Sequence, residues 1–165
     1  MNLITEDFLQ LSNERPLVIE TTPLQPLLAA CQQALARRYP GVVVTVETPH
    51  VVEGDVGRLR QIFLNLFNNA AEAQSGKGRI RVTSAARRGR IHVTVEDEGP
   101  GLKTPLPEMG ARQGSSTKPG GHGLGLLVVQ RLVALHGGAV RSLDVNRGAT
   151  FELDLAAAPS QELPS

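Results

Sequence analysis

A chain of 165 residues with 41% hydrophobic and 20% charged residues has the size and balance of one globular domain with its own core, which sets aside disordered and fibrous classes. Seventeen Lys and Arg against sixteen Asp and Glu leave a net charge of +1, so no polybasic surface for nucleic acid or a membrane is indicated. Aromatics at 3% with no Trp supply no stacking platform for single strands.

In chain order, residues 1–16 read as a helical remnant running into a linker that ends at Pro16. Their first ten, MNLITEDFLQ, lack the basic start and apolar stretch of a signal peptide, and no apolar run of the chain reaches the ~18 residues that span a bilayer. A soluble, cytoplasmic piece is expected, with room for a larger parent protein that is membrane-anchored. The folded domain is expected over 17–156 and a disordered tail over 157–165.

Within the domain, LVIET (17–21) reads as a short strand, and residues 22–39 as an amphipathic helix closed by Pro40-Gly41. The single cysteine, Cys31, excludes a disulfide framework and a Cys-based metal site, and its place among Leu27, Leu28 and Leu35 suits a small buried hydrophobe. VVVTVE (42–47) is β-branched and extended. A long helix follows from Asp55, a good N-cap, to about Ala73, with Leu59, Ile62, Phe63, Leu66, Phe67 and Ala70 at three- and four-residue steps marking its buried face. Residues 79–99 read as a hairpin turning at Arg88-Gly89, with Ile91, Val93 and Val95 alternating inward. Residues 99–122 hold six Gly and four Pro and read as a long irregular loop, of a length that is usually functional or disordered. A helix from Leu124 to His136, stopped by Gly137-Gly138, and two strands turning at Asn146-Arg147-Gly148 complete the order. The succession suggests a two-layer α/β sandwich, with helices on one face of a mixed sheet.

Three features carry chemistry. Asn65, Asn68 and Asn69 stand on the long helix, with Asn65 and Asn69 four apart and so on one face, extended by Arg58, Gln61 and Glu72. A solvated polar face is one reading. Asparagine is nonetheless a poor choice for an exposed helix interior, because its amide competes for backbone hydrogen bonds. The other reading is that short amide oxygens are wanted there, as hard ligands suited to Mg²⁺.

The second feature is Asp97-Glu98-Gly99-Pro100-Gly101. A strand-ending turn accounts for the glycines and proline. It does not account for Asp97, which the strand alternation points inward, where a carboxylate needs a donor such as the exocyclic amine of adenine.

The third is Gly121-His122-Gly123-Leu124-Gly125-Leu126, which matches neither a Walker A loop nor the dinucleotide fingerprint. It is either a plain entrance to a helix or a backbone opened so that phosphate oxygens reach the free amides of a helix start. Lys118, with Arg112, would add positive charge to the second case.

The order and spacing of these segments over roughly 20–156 resemble the catalytic ATP-binding domain of sensor histidine kinases, in the GHKL group with gyrase, Hsp90 and MutL. QIFLNLFNNAAEA resembles the asparagine box, DEGPG the first glycine box, GHGLGL the second, and RGATFEL (147–153) the closing strand. NAAEA together with SSTKPGGHGLGL is most similar to the nitrogen-regulation type.

The resemblance implies a Bergerat fold: a mixed, mostly antiparallel sheet, three main helices on one face, and an ATP lid over about 102–120. It implies ATP and Mg²⁺ as cofactors. Asp97 would take the adenine amine, Asn69 would hold Mg²⁺ against the phosphates, and Asn65 would meet the phosphates or the metal's shell. Gly99 and Gly101 would shape the base pocket, and Thr150 would lie near the adenine. Gly121, His122, Gly123, Leu124 and Gly125 would form the triphosphate loop, with Lys118 as the main cation; Asn65, Asn69 and Lys118 would be the catalytic set.

Asn65 stands where GHKL ATPases place a glutamate general base, and an amide cannot accept that proton. The expected activity is therefore transfer of the γ-phosphoryl group to a histidine elsewhere, with an ATP-driven switch or a nucleotide-sensing module as the alternatives. The chain departs from the family in three places. Its lid segment EMGARQGSSTK has no phenylalanine, with Met109 its one apolar peg; His122 stands where Thr is common; and Glu72 replaces a phosphate-binding Lys. None of His50, His92, His122 and His136 lies in a phosphoacceptor context. The implied partners are the parent kinase's dimerisation and phosphoacceptor domain and a response-regulator receiver domain, with this chain monomeric, the parent homodimeric, and no nucleic acid or direct membrane contact.

Overall fold

The computed structural model describes residues 15–99, 122–143 and 148–159. The elements are β1 (Glu20–Pro23), α1 (Leu24–Arg38), β2 (Gly41–Glu47), β3 (Val51–Gly54), α2 (Val56–Ala73), β4 (Lys77–Arg87), β5 (Arg90–Asp97), α3 (His122–Leu135), β6 (Val140–Leu143) and β7 (Thr150–Ala156). Five strands form one sheet in the order β2-β4-β5-β7-β6, in which β2 and β4 run parallel and every other pair antiparallel. β1 and β3 form a separate antiparallel pair.

Alternation decides which face of the sheet is covered. Ile80 and Val82 of β4, Ile91, Val93 and Val95 of β5, and Phe151, Leu153 and Leu155 of β7 are buried, and they share one core with the apolar faces of α1, α2 and α3. α2 supplies the largest share, because Phe63 and Phe67 are fully buried one turn apart between Leu59, Ile62 and Leu66. Each such side chain contributes about 1.5–3 kcal/mol on leaving water. With so few aromatics, aliphatic packing does the rest. Cys31 belongs to this core; burial pushes its thiol up to about 11 against the opposing charge of Arg60, so it is an inert hydrophobe as expected.

The exposed edge of the sheet is covered by α1. Gln32 Nε2 donates to the Val44 carbonyl (2.9 Å) and Gln25 Nε2 to that of Val46 (3.2 Å), while Gln25 Oε1 accepts the Thr48 N–H (3.0 Å). Two helix side chains thus take up groups that an unpaired edge strand would offer to another chain.

The structure revises the expected boundaries in four places. The first strand begins at Glu20, and Val18 and Ile19 are 65% and 50% exposed, so LVIET is not a strand from its start. β3 was not anticipated: its four residues lie between Pro49-His50 and Asp55, too short to show periodicity, and they exist as a strand because β1 pairs with them. The fold also runs past residue 156. Ala157 bridges to Val52, and Ala158 is 1% exposed with its N–H on the Val51 carbonyl (3.1 Å). Finally, α3 starts at His122, so the second half of the glycine-rich segment lies inside a helix. The turn at Asn146-Arg147 falls outside the described residues.

Asp55 caps α2 as expected, its Oδ1 accepting the Arg58 N–H (3.1 Å). Its Oδ2 also accepts the Val18 N–H (2.9 Å), and its own N–H donates to His136 Nε2 (3.1 Å), which joins the N-terminal segment and the end of α3 at one residue. Burial works to raise this carboxyl, but the hydrogen bonds from Val18 and Arg58 and the charge of Arg58 hold it below the usual carboxylate range. Asp55→Ala should cost about 1–2 kcal/mol in urea unfolding at neutral pH. The lowered folded value means this stabilisation is complete above the unfolded pKa of Asp and is lost as pH falls through the folded one. The gap between wild type and variant should therefore close in acid. A gap that stays constant with pH would rule out the carboxylate as the capping species.

Candidate functional site

The site lies where the C-terminal half of α2, the first turns of α3 and the end of β5 converge. The apolar stripe of α2 faces the core, so Asn65 and Asn69 are placed at its margin, partly covered. Both Asn65 Nδ2 and Asn69 Nδ2 are buried and, among the described residues, have no hydrogen-bond partner. An orphaned buried donor costs about 1–3 kcal/mol, and two on one helix face mark a place prepared for an acceptor. Gly125 of α3 faces the same amide: a Cβ at that position would stand 3.7 Å from Asn69 Oδ1 and 3.9 Å from Asn69 Nδ2. The glycine-rich helix therefore presents bare backbone, not a side chain, to Asn69.

Asp97 ends β5 with its side chain turned to the helix side, 8% exposed, as the alternation of Ile91, Val93 and Val95 requires. Among the described residues both hydrogen bonds to the carboxylate fall on Oδ1, from the Gly99 N–H (2.8 Å) and the Ala149 N–H (3.1 Å). Oδ2 is left for another donor. Burial raises the carboxyl above its usual range, and the two backbone donors only partly offset this. Gly148 brings the closing strand this near: its φ is +75°, and a Cβ there would overlap the Asp97 carbonyl oxygen.

Thr150 is not the residue beside Asp97. The register pairs Thr150 with Glu96, which puts its side chain on the other face of the sheet, and Ala149 is the one bonded to Asp97: its carbonyl accepts the Asp97 N–H (2.9 Å) and its N–H donates to Asp97 Oδ1 (3.1 Å). Which residue of this segment meets Asp97 is decided by register, because strand parity depends on it. Gly99 sits against the end of α2, where a Cβ would come within 3.3 Å of the Ala73 carbonyl oxygen and within 3.2 Å of Asp97 Oδ1. Residues 100–121, which include Gly101, Met109, Arg112, Lys118 and Gly121 and the whole lid segment, lie outside the described residues. Of His122, Gly123 and Leu124, the backbone belongs to the first turn of α3.

The remaining histidines have structural neighbours. His50 Nδ1 is 2.7 Å from Ser84 Oγ, His92 lies 3.8 Å from Glu152, and His136 accepts from Asp55. Glu72 accepts from the Tyr39 hydroxyl (3.4 Å), and a Lys in its place could not be the acceptor.

No group of three or more His, Cys, Asp and Glu able to hold a metal occurs among the described residues. The donors on offer are amides. They fit Mg²⁺, which takes one or two protein oxygens and draws its other ligands from phosphates and water, since turning an Asn amide about its last torsion brings Oδ1 to bear in place of Nδ2.

A two-layer sandwich whose three helices cover a mixed sheet, with asparagines on the central helix facing a glycine-rich helix start and a carboxylate at the end of a strand, defines a Bergerat-fold nucleotide-binding domain. Residues 54–159 match the family described as histidine kinase-, DNA gyrase B- and HSP90-like ATPase, and the chain belongs to it. Within that family its likeness is to sensor kinases. It is 30% identical to the sensor histidine kinase ZraS of Salmonella typhimurium over 98% of this chain and 36% of that protein, so the chain spans about a third of its relative's length. Among solved structures, full-length ShkA in complex with AMPPNP superposes with a TM-score of 0.70 at 28% identity, covering 94% of this chain and 35% of that one. The histidine kinase ThkA in complex with the response regulator protein TrrA gives 0.72 at 26% identity, covering 97% and 48%.

Proposed function

We propose that the chain is the nucleotide-binding, catalytic part of a protein-histidine kinase of a two-component system, of the nitrogen-regulation type. It binds Mg²⁺-ATP and donates the γ-phosphoryl group to a histidine on a separate dimerisation domain, from which a response regulator takes it. The observation that carries this reading is the pair of orphaned amides, Asn65 Nδ2 and Asn69 Nδ2, beside the bare backbone of Gly125. Such a site has donors for phosphate oxygens and amide oxygens for a hard cation. Mg²⁺ held by Asn69 would neutralise phosphate charge, which is most of what phosphoryl transfer asks of a protein. Asp97 Oδ2 takes the adenine amine, Gly99 and Gly101 leave room for the ring, and Lys118 with residues 121–125 closes on the triphosphate.

An amide at position 65 favours transfer over hydrolysis, because no carboxylate stands there to take a proton from water. The names of the neighbours support the partners: ShkA was crystallised with AMPPNP and ThkA with a response regulator. No helix among the described residues is long and apolar enough to cross a membrane.

The test is incubation with γ-labelled ATP and a dimerisation domain carrying its histidine. Acid-labile label on that histidine is the expected result. Label released only as inorganic phosphate would make the chain an ATPase, and binding without either product would make it a nucleotide sensor.

A further inference from the structure

Gln74, the residue that ends α2, has no assigned role, yet its side chain spans the two halves of the site. Its Nε2 donates to the carbonyl of Ala70 (3.1 Å), the residue after Asn69. Its Oε1 accepts two backbone N–H groups, from Glu98 (3.3 Å), the residue after Asp97, and from Arg79 (3.1 Å) at the start of β4. One amide group therefore links the backbone next to Asn69 with the backbone next to Asp97.

Two glycines surround this bridge. Gly78, at φ +131°, leaves the space that Oε1 occupies, since a Cβ there would overlap the Gln74 amide. Gly99 also packs against the side chain, where a Cβ would come within 3.3 Å of Gln74 Cγ. The chain turns sharply through Ser75 (φ 57°) and Gly76 (φ 79°) between α2 and β4. Short backbone hydrogen bonds hold that turn to the helix end, Gly76 N–H to the Ala71 carbonyl among them (2.8 Å). None of those backbone bonds reaches β5. Glu98 and Arg79 are exposed residues whose N–H groups would find water if the side chain were removed, so the core does not depend on Gln74.

We infer that Gln74 is a positioning residue: it sets the separation between the asparagines on α2 and the base-side carboxylate on β5, so that one nucleotide engages both. This rests on the nucleotide reading above. Its effect falls on ligands that bridge the two halves and spares a ligand that uses one, because binding at two points gains only when their spacing matches the ligand.

The experiment compares the 165-residue chain with Gln74→Met, which keeps length and packing and removes the amide, and Gln74→Glu, which keeps an acceptor oxygen for Glu98 and Arg79. Affinities for Mg²⁺-ATP and for adenosine are measured by calorimetry, and unfolding is followed by circular dichroism. For Gln74→Met the expected result is about tenfold weaker ATP binding with adenosine changed by less than about threefold and an unaltered melting temperature. Gln74→Glu should recover most of the ATP affinity. Equal losses for ATP and adenosine, no loss for either, or a Gln74→Met chain that does not fold would each overturn the positioning role. Wild-type chain that binds neither ligand would instead overturn the nucleotide reading itself.

Discussion

Asn69→Ala should weaken Mg²⁺-ATP binding about a hundredfold and leave the fold more stable, not less. The two effects have one cause. Among the described residues Asn69 Nδ2 is buried without a partner, so in the free protein the amide is a cost, and its removal from a helix interior also exchanges a poor helix former for the best one. A gain of about 1 kcal/mol in nucleotide-free protein is expected from urea unfolding. Binding loses what the amide supplied, an oxygen for the cation and a donor for phosphate. Calorimetry with and without Mg²⁺ separates these: without the cation, wild type and variant should differ far less. An affinity for Mg²⁺-ATP equal to that of wild type would remove Asn69 from the metal role, and a marked drop in stability would show that the amide has a structural partner.

Asp97→Asn should abolish the preference for adenine. The variant keeps an oxygen for the Gly99 and Ala149 N–H groups, so the turn at the end of β5 survives, but it replaces Oδ2 with an NH₂ facing the adenine amine, donor against donor. A loss of about a hundredfold in ATP affinity, with GTP little changed, is expected from leaving both groups unpaired in a covered site. The wild type should report the same contact through pH. Burial raises the Asp97 carboxyl above the usual range, with the hydrogen bonds from Gly99 and Ala149 opposing. ATP affinity should thus fall as pH drops through this raised value, since the protonated form can no longer accept on both oxygens. Stability has the opposite sign. An acid whose folded pKa is raised favours the fold below its unfolded value and loses that contribution as pH rises through the folded one. Nucleotide-free Asp97→Asn should accordingly be at least as stable as wild type at neutral pH. A pH profile of binding that is flat through the acid range, or an unaltered ATP-over-GTP ratio in the variant, would contradict the assignment.

Much of this site could be read before any coordinates. Asn65 and Asn69 were visible as amides on one helix face because their spacing of four is a local property of the helix. Asp97 was visible as an inward carboxylate because three preceding residues alternate. Thr150 shows where such reasoning ends. Its segment carries a recognisable pattern, but whether Thr150 or Ala149 meets Asp97 depends on how β7 slides against β5, and a shift of one residue turns every side chain to the other face. Gln74 gives no local signal at all, since a glutamine at the end of a helix is ordinary until its partners at Arg79 and Glu98 are known.

The sequence by itself determined most of the elements, the apolar face of the long helix, the inward set of β5 and the residue types gathered at the candidate site. Those follow from periodicity, capping and turn chemistry, which act over a few neighbouring residues. Tertiary structure alone decided that Val51–Gly54 becomes a strand, that Ala157 and Ala158 complete the fold, that Ala149 stands beside Asp97, and that Gln74 joins the two halves of the site. Each of these is a hydrogen bond between residues far apart in the chain, available only after the core on α2 has brought the segments together.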